Sequence, residues 1–253
     1  MRKFKRKVLE QKIRVGAVSY LNTKPLVYGF ENGAMKEQIV LISDYPAKIA
    51  AMLLNDEIDI GLIPVAVIPQ MKEHYIISDY CIGASQPVAS VCLFSDVPIN
   101  EIKEILVDYQ SRTSAALLKI LLKKYWKIDP ELIDTSNGYQ QNIKGSTAGL
   151  VIGDRALKQR KYSAYIYDLA EAWQQMTGLP FVFAAWIANK KLPENFVESF
   201  NKATAEGFAH IDEIVTATGF EAYDMKTYYR KNIDYHLDEK KLEALKLFLN
   251  YLS

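Results

Sequence analysis

Histidine and cysteine are scarce in this chain, three and two among 253 residues. His74, His210 and His236 stand far apart and share no ligand-like spacing with a cysteine or carboxylate. The sequence therefore presents no metal site, and each histidine is read as a surface or structural residue. Cys81 and Cys92 lack CxxC spacing and sit in apolar surroundings, which reads as two buried free thiols, with a disulfide as the alternative. A G-x-G-x-x-G turn, a Walker loop and a G-x-S-x-G elbow are missing as well. Dinucleotide and triphosphate cofactors and an elbow serine are thereby disfavoured, and the expected chemistry uses no cofactor and no metal. No stretch approaches the roughly 18 apolar residues of a membrane span, and Met1–Lys12 holds no apolar export segment. A cytoplasmic protein with no membrane contact is expected.

A strong charge of one sign is also lacking. Of 31 basic and 30 acidic residues, six bases and one acid lie within residues 1–12, which leaves the remainder at −4. The basic character belongs to an N-terminal tail, residues 1–12, and the body is mildly acidic, so no nucleic-acid partner is expected. The length suffices for one large domain or two modest lobes.

What is present is an alternation of strand and helix patterns. Ile13–Val18, Ile39–Ile42 and Ile58–Ile63 read as strands, separated by helices at Pro25–Phe30 and Pro46–Asn55. Another helix is expected over Val65–Met71 and a strand over Val88–Phe94. The pattern then restarts with a strand at Ile105–Val107, a helix at Ser111–Trp126, a strand at Leu150–Ile152 and a helical turn at Arg155–Lys161. Phe181–Ile187 reads as a strand, Glu194–Thr218 as a helix interrupted at Gly207, and Glu239–Leu252 as a closing helix. The restart predicts an α/β fold of two lobes with an interlobe cleft. Residues 13–93 with 183–253 form the first lobe, residues 94–182 are inserted as the second, and two strands, near Val88–Phe94 and Phe181–Ile187, cross between them. Such a clamp takes a small molecule in its cleft.

Polar residues gather at the strand ends. Ser19, Asn22 and Thr23 crowd the junction between the first strand and a helix whose first turn holds Pro25. Ser111, Arg112, Thr113 and Ser114 stand at the start of another helix, where free N–H groups and the helix dipole suit a carboxylate. An N-cap plus a surface arginine is the plainer reading of the same residues. Ser90 enters the expected crossover strand, and Asp154 either caps the next helix or lines the cleft.

Six blocks in order then resemble one family. They are Ser19-Tyr20-Leu21-Asn22-Thr23-Lys24-Pro25, Asp59-Ile60-Gly61-Leu62-Ile63-Pro64, Pro87-Val88-Ala89-Ser90-Val91, and Ser111-Arg112-Thr113-Ser114 with Ala115, Leu117 and Leu118. Gly153-Asp154-Arg155-Ala156-Leu157 follows, then Asp168-Leu169-Ala170-Glu171-Ala172-Trp173 continuing through Thr177 to Ala184. Together they resemble the chorismate dehydratases of the futalosine route to menaquinone, from about residue 13 to the C-terminus. The resemblance implies a type 2 periplasmic-binding-protein-like fold and the conversion of chorismate into 3-[(1-carboxyvinyl)oxy]benzoate with loss of water. The sister branch, which makes 1,4-dihydroxy-6-naphthoate, opens with a Pro-Asn-Asp-type segment and uses a histidine. This chain opens with Tyr-Leu-Asn-Thr and has no histidine in a block.

On that resemblance, Ser111, Arg112, Thr113 and Ser114 are expected to hold a substrate carboxylate, with Ser19 and Tyr20 also at the substrate. Asn22 and Ser90 are expected to bind the hydroxyl or the enolpyruvyl carboxylate. The base is either Asp154 or the substrate's own enolpyruvyl carboxylate, the second being preferred. A non-enzymatic solute-binding protein of the same fold is the rival from another class, and it calls for an export signal. A ligand-sensing effector domain is the third reading, and it calls for a joined DNA-binding unit.

Overall fold

The computed structural model describes residues 12–252. The chain opens with β1 (Ile13–Val18), α1 (Lys24–Asn32), β2 (Ile39–Asp44), α2 (Pro46–Leu54), β3 (Ile60–Pro64) and β4 (Tyr75–Ala84). After residues 85–90 it forms β5 (Val91–Ser95), β6 (Glu104–Val107), α3 (Arg112–Leu121), β7 (Glu131–Asp134), β8 (Thr147–Ile152) and α4 (Gly153–Gln159). Then come β9 (Tyr165–Asp168), α5 (Leu169–Thr177), β10 (Phe181–Ala188), α6 (Glu194–Ala209), α7 (Ile211–Thr218), α8 (Met225–Thr227), β11 (Asp234–His236) and α9 (Glu239–Asn250). A π turn, Tyr228–Asn232, joins α8 to β11, and another, Leu122–Trp126, extends α3.

The local chemistry explains the ends of these elements. Pro25 and Pro46 sit in the first turns of α1 and α2, where no intrahelical N–H is required of them. Asp168 caps α5 by accepting from the N–H groups of Ala170 and Glu171, and Gly178 ends that helix in the left-handed conformation. β10, Phe-Val-Phe-Ala-Ala-Trp-Ile-Ala, is buried at all eight positions, as a strand covered on both faces must be.

The strands form two mixed sheets. The first has six strands in the order β11-β4-β10-β3-β1-β2, and the second has five in the order β7-β6-β8-β5-β9. In each, three neighbouring parallel strands, β2-β1-β3 and β7-β6-β8, are followed by antiparallel ones. The two α/β lobes thus repeat one plan. Among the described residues β5 pairs only with β8 and β9, and β10 only with β3 and β4, so neither crosses between sheets, contrary to expectation. The chain changes sheet in residues 85–90 and again through α5. An apolar run marks a buried strand without saying which sheet buries it.

Other elements also depart from the pattern reading. β4 was unforeseen because Ser78, Asp79 and Tyr80 interrupt its apolar run. Val65–Gln70 is 3₁₀ rather than α-helical, with Pro69 inside it. The break between α6 and α7 lies at His210, and Gly207 is helical and buried. Cys81 and Cys92 are free and buried. Apart from Lys12, whose ammonium lies 3.3 Å from the Lys36 carbonyl, the basic tail lies outside the described residues. No helix among the described residues is long and apolar enough to cross a membrane.

Gly207 marks a close approach of α6 to α1. A Cβ there would lie 1.9 Å from the Pro25 carbonyl oxygen, a backbone atom with nowhere to go. Alanine raises helix propensity by about 1 kcal/mol, but separating two packed helices costs about 1–3 kcal/mol or more. Gly207→Ala is therefore expected to lower unfolding stability by up to about 2 kcal/mol in a urea titration, and a raised midpoint contradicts this packing.

Candidate active site between the two sheets

In both sheets the strand order reverses beside the first parallel strand, β1 in one and β6 in the other. Ligands in open α/β sheets bind outside the carboxyl ends of the strands at such a switch point. Here the two switch points face each other across one cavity. Tyr20 and Asn22 enter from the end of β1 and Pro64 ends β3; Ser111 and Ser114 follow β6, and Gly153 follows β8. Ser90, from the first change of sheet, closes one side, and none of the lining residues is charged.

The first wall carries a chain of hydroxyl and amide groups. Ser90, 1% exposed, accepts a hydrogen bond from the Tyr228 hydroxyl at 2.8 Å. The same Tyr228 oxygen lies within hydrogen-bonding reach of the Asn22 side chain. Tyr235 donates to the Asn22 backbone carbonyl at 2.9 Å. Burial drives the Tyr228 pKa far above the ordinary tyrosine range, so Tyr228 stays a donor. With Tyr228 filling an acceptor site of the Ser90 oxygen, the serine hydroxyl in turn donates to the Val88 carbonyl over a long 3.5 Å.

Opposite stands the start of α3. Ser111 is its N-cap, accepting from the Ser114 N–H at 3.1 Å and donating to the Ser114 hydroxyl oxygen at 2.8 Å. That leaves the Ser114 hydroxyl proton and the unpaired N–H groups of the first turn to receive an anion.

Not every residue expected at the site lines this cavity. Arg112 is exposed and donates to Gln70 at 3.3 Å, because the first residue of α3 projects off the helix start. Thr113 is fully buried, and its hydroxyl accepts from the Ala66 N–H at 3.2 Å, tying α3 to the first lobe. Ser19 is exposed, with its N–H on the Asp44 carbonyl. Asp154 lies in the first turn of α4, where its carboxylate accepts from the Leu21 N–H at 3.1 Å, again across the lobes. Tyr20, Asn22, Ser90, Ser111 and Ser114 are the expected residues that come together.

A second interlobe network went unforeseen. The Tyr20 hydroxyl donates to the Gln110 side chain, whose oxygen also receives Arg155 at 2.8 Å. Arg155 bonds the fully buried Asp108 carboxylate at 2.8 Å, and Tyr139 donates to the same carboxylate at 2.7 Å. Gly153 (φ 62°) permits the contact, since a Cβ there would sit 3.0 Å from the Tyr20 ring. Tyr228 also escaped the sequence reading; its signal was the tyrosine-rich run 223–229, which carries no motif spacing. Among the described residues no group of three or more His, Cys, Asp or Glu is placed to hold a metal.

Burial raises the Asp154 pKa, and the Leu21 N–H offsets this only in part. A carboxyl whose folded-state pKa is raised costs stability as pH climbs from its unfolded value, about 4, through the folded one. Asp154→Asn keeps an oxygen for the Leu21 N–H and removes the charge. The variant should match the parent near pH 4 and become the more stable of the two by pH 7 in urea titrations; a variant less stable at pH 7 contradicts this reading.

Comparison with known proteins agrees with this geometry. A solved protein from Archaeoglobus fulgidus, AF1704, superposes with a TM-score of 0.75 at 17% identity, covering 95% of this chain and 96% of its own. The periplasmic aliphatic sulphonate-binding protein SsuA of Escherichia coli superposes at 0.62 and 15% identity, covering 95% and 85%. These likenesses show a periplasmic-binding-protein-like fold. A chorismate dehydratase of Thermus thermophilus is 26% identical over 94% of both chains, and one of Campylobacter jejuni is 28% identical over 92% of this chain and 95% of its own. The family model for menaquinone biosynthesis matches residues 13–253, and the chain belongs to that family.

Proposed function

We propose that this protein is a chorismate dehydratase. The observation that carries the reading is a cavity walled by neutral hydrogen-bonding groups, Asn22 and Ser90 facing Ser111 and Ser114 at a helix start, with no charged side chain in its lining. The family membership and the names of the two curated relatives support it.

The reaction suits such a site. The hydrogen at C3 of chorismate is acidified by conjugation through the ring to the C1 carboxylate. Removing that proton and the C4 hydroxyl releases one water and leaves a benzene ring, with the enolpyruvyl ether intact. Aromatisation supplies the driving force, so a modest base and control of geometry suffice. The ring carboxylate lies against the Ser111–Ser114 turn. The Ser90 hydroxyl and the Asn22 amide polarise the departing hydroxyl, with Tyr228 holding both. The enolpyruvyl carboxylate of the substrate takes the C3 proton and passes it to the departing C4 hydroxyl, so that one water leaves, because Asp154 is engaged by the Leu21 N–H and stands outside the cavity lining. Closed lobes exclude water and suppress rearrangement or loss of the enolpyruvyl group.

The units that close are drawn at the changes of sheet, residues 12–84 with 181–252 and residues 91–177, rather than at 13–93 with 183–253 and 94–182. A place in the futalosine route and a cytoplasmic location belong to the same reading.

Incubating the purified protein with chorismate and no added cofactor should yield 3-[(1-carboxyvinyl)oxy]benzoate. Asn22→Ala or Ser90→Ala should lower kcat by about 100-fold, the scale seen when a donor to a departing or developing charge is removed, whereas Asp154→Asn should retain kcat to within about tenfold. Unchanged chorismate from folded protein contradicts the reading, and a folded, chorismate-binding but inactive Asp154→Asn variant contradicts the substrate as base.

A further inference from the structure

The turn that delivers Ser90 is strained. Ala89 has φ 64°, in a region that a residue with a Cβ seldom adopts, and the Ser90 N–H bonds the Val88 carbonyl at 2.8 Å across it. A three-residue turn with a positive central φ is the rare, strained γ form. Such backbone persists only where its surroundings hold it.

The holder is Asp168, 79 residues away and buried. One carboxylate oxygen accepts the Ala89 N–H at 2.7 Å and faces the Cys92 thiol at 3.6 Å. The other accepts the N–H groups of Ala170 and Glu171 at 3.0 and 3.2 Å, capping α5. A single side chain therefore pins both places where the chain changes sheet. On the far side of the turn the Arg160 guanidinium holds the Ala89 carbonyl at 3.2 Å, and the Gly153 N–H bonds the Ser90 carbonyl at 2.8 Å. A plain helix cap needs only the oxygen that serves Ala170 and Glu171. The oxygen on Ala89 has no part in capping and points back at the residue before Ser90.

We propose that Asp168 is a positioning residue for the dehydration: by holding Ala89 in its strained turn it sets the Ser90 hydroxyl in the cavity. The inference rests on the chorismate reading above. It requires that the Ala89 N–H, and not the α5 cap, is what activity depends on. Asp168→Asn separates the two, since its remaining oxygen can cap α5 while its NH2 meets the Ala89 N–H donor to donor. Asp168→Ser gives a second route, as serine caps well but is too short to reach Ala89.

A left-handed alanine is disfavoured on a scale worth roughly five- to thirtyfold in population. Both variants should therefore lower kcat by about that factor. KM should stay within about threefold, because the α3 start that receives the carboxylate is untouched. Glycine takes a positive φ without penalty, so adding Ala89→Gly to either variant should restore most of the lost kcat. A kcat for Asp168→Asn within about threefold of the parent overturns the proposal. So does a loss that Ala89→Gly leaves untouched, or one in which it restores thermal stability alone.

Hydrogen exchange on the unmodified protein supplies a readout independent of turnover and of how the variants fold. The Ala89 amide should exchange only with global unfolding, and exchange at the rate of an open loop overturns the proposal. If the parent protein folds but leaves chorismate intact, the functional reading alone fails, and the exchange measurement still decides whether Asp168 holds the turn.

Discussion

The meeting of two strand ends governs this molecule. β1 and β6 each finish at a switch point, and the protein has a site only because those points are brought face to face. The contact that does this is short-range and polar. The Leu21 N–H reaches the Asp154 carboxylate, the Ala66 N–H reaches the Thr113 hydroxyl, and the Tyr20 ring lies on Gly153 where no Cβ intervenes. Each of these spans the two lobes, and none involves a residue that a small molecule would touch first, Tyr20 and Gly153 excepted. Closure is thus built from backbone donors that would otherwise be left unpaired at the ends of β1 and β3, which gives it a definite geometry.

Within that enclosure the chemistry is gentle. The walls are neutral, and the Tyr228 hydroxyl behind Ser90 is held protonated by burial. A site of this kind exerts its effect by orientation and by directional hydrogen bonds in a water-poor space, where such bonds count for more than in bulk water. It suits a substrate that carries its own carboxylates and becomes aromatic on losing water. The same enclosure in a binding protein would only hold its ligand. What distinguishes this one is the grouping of Asn22, Tyr228 and Ser90 on one wall, with Tyr228 donating to the Ser90 oxygen.

Much of this could be read along the chain and some could not. The strand-turn-helix at Ser19 to Pro25 and the helix start at Ser111 announce themselves locally, because capping and proline placement act over three or four residues. The two-lobed plan follows from a pattern that restarts near Ile105. Hidden were the pairings between distant segments. Tyr228 and Ser90 are 138 residues apart, and Asp168 and Ala89 are 79 apart. No periodicity encodes such contacts. β4 was missed because a half-polar strand has a weak alternation, and the crossovers were misplaced because burial looks alike in either sheet. Arg112 and Asp154 show the converse. Both stand in a family block, yet one faces Gln70 at the surface and the other clasps the opposite lobe.

Where chorismate sits decides most directly whether this cavity is the active site. A crystal structure of Ser90→Ala soaked with chorismate, slowed enough to retain it, should show the molecule between the two sheets. Its ring carboxylate should lie on the N–H and hydroxyl groups of the Ser111–Ser114 turn, with its C4 hydroxyl toward Asn22. Chorismate bound outside this cavity, or turned so that the C4 hydroxyl faces α3, would contradict the account.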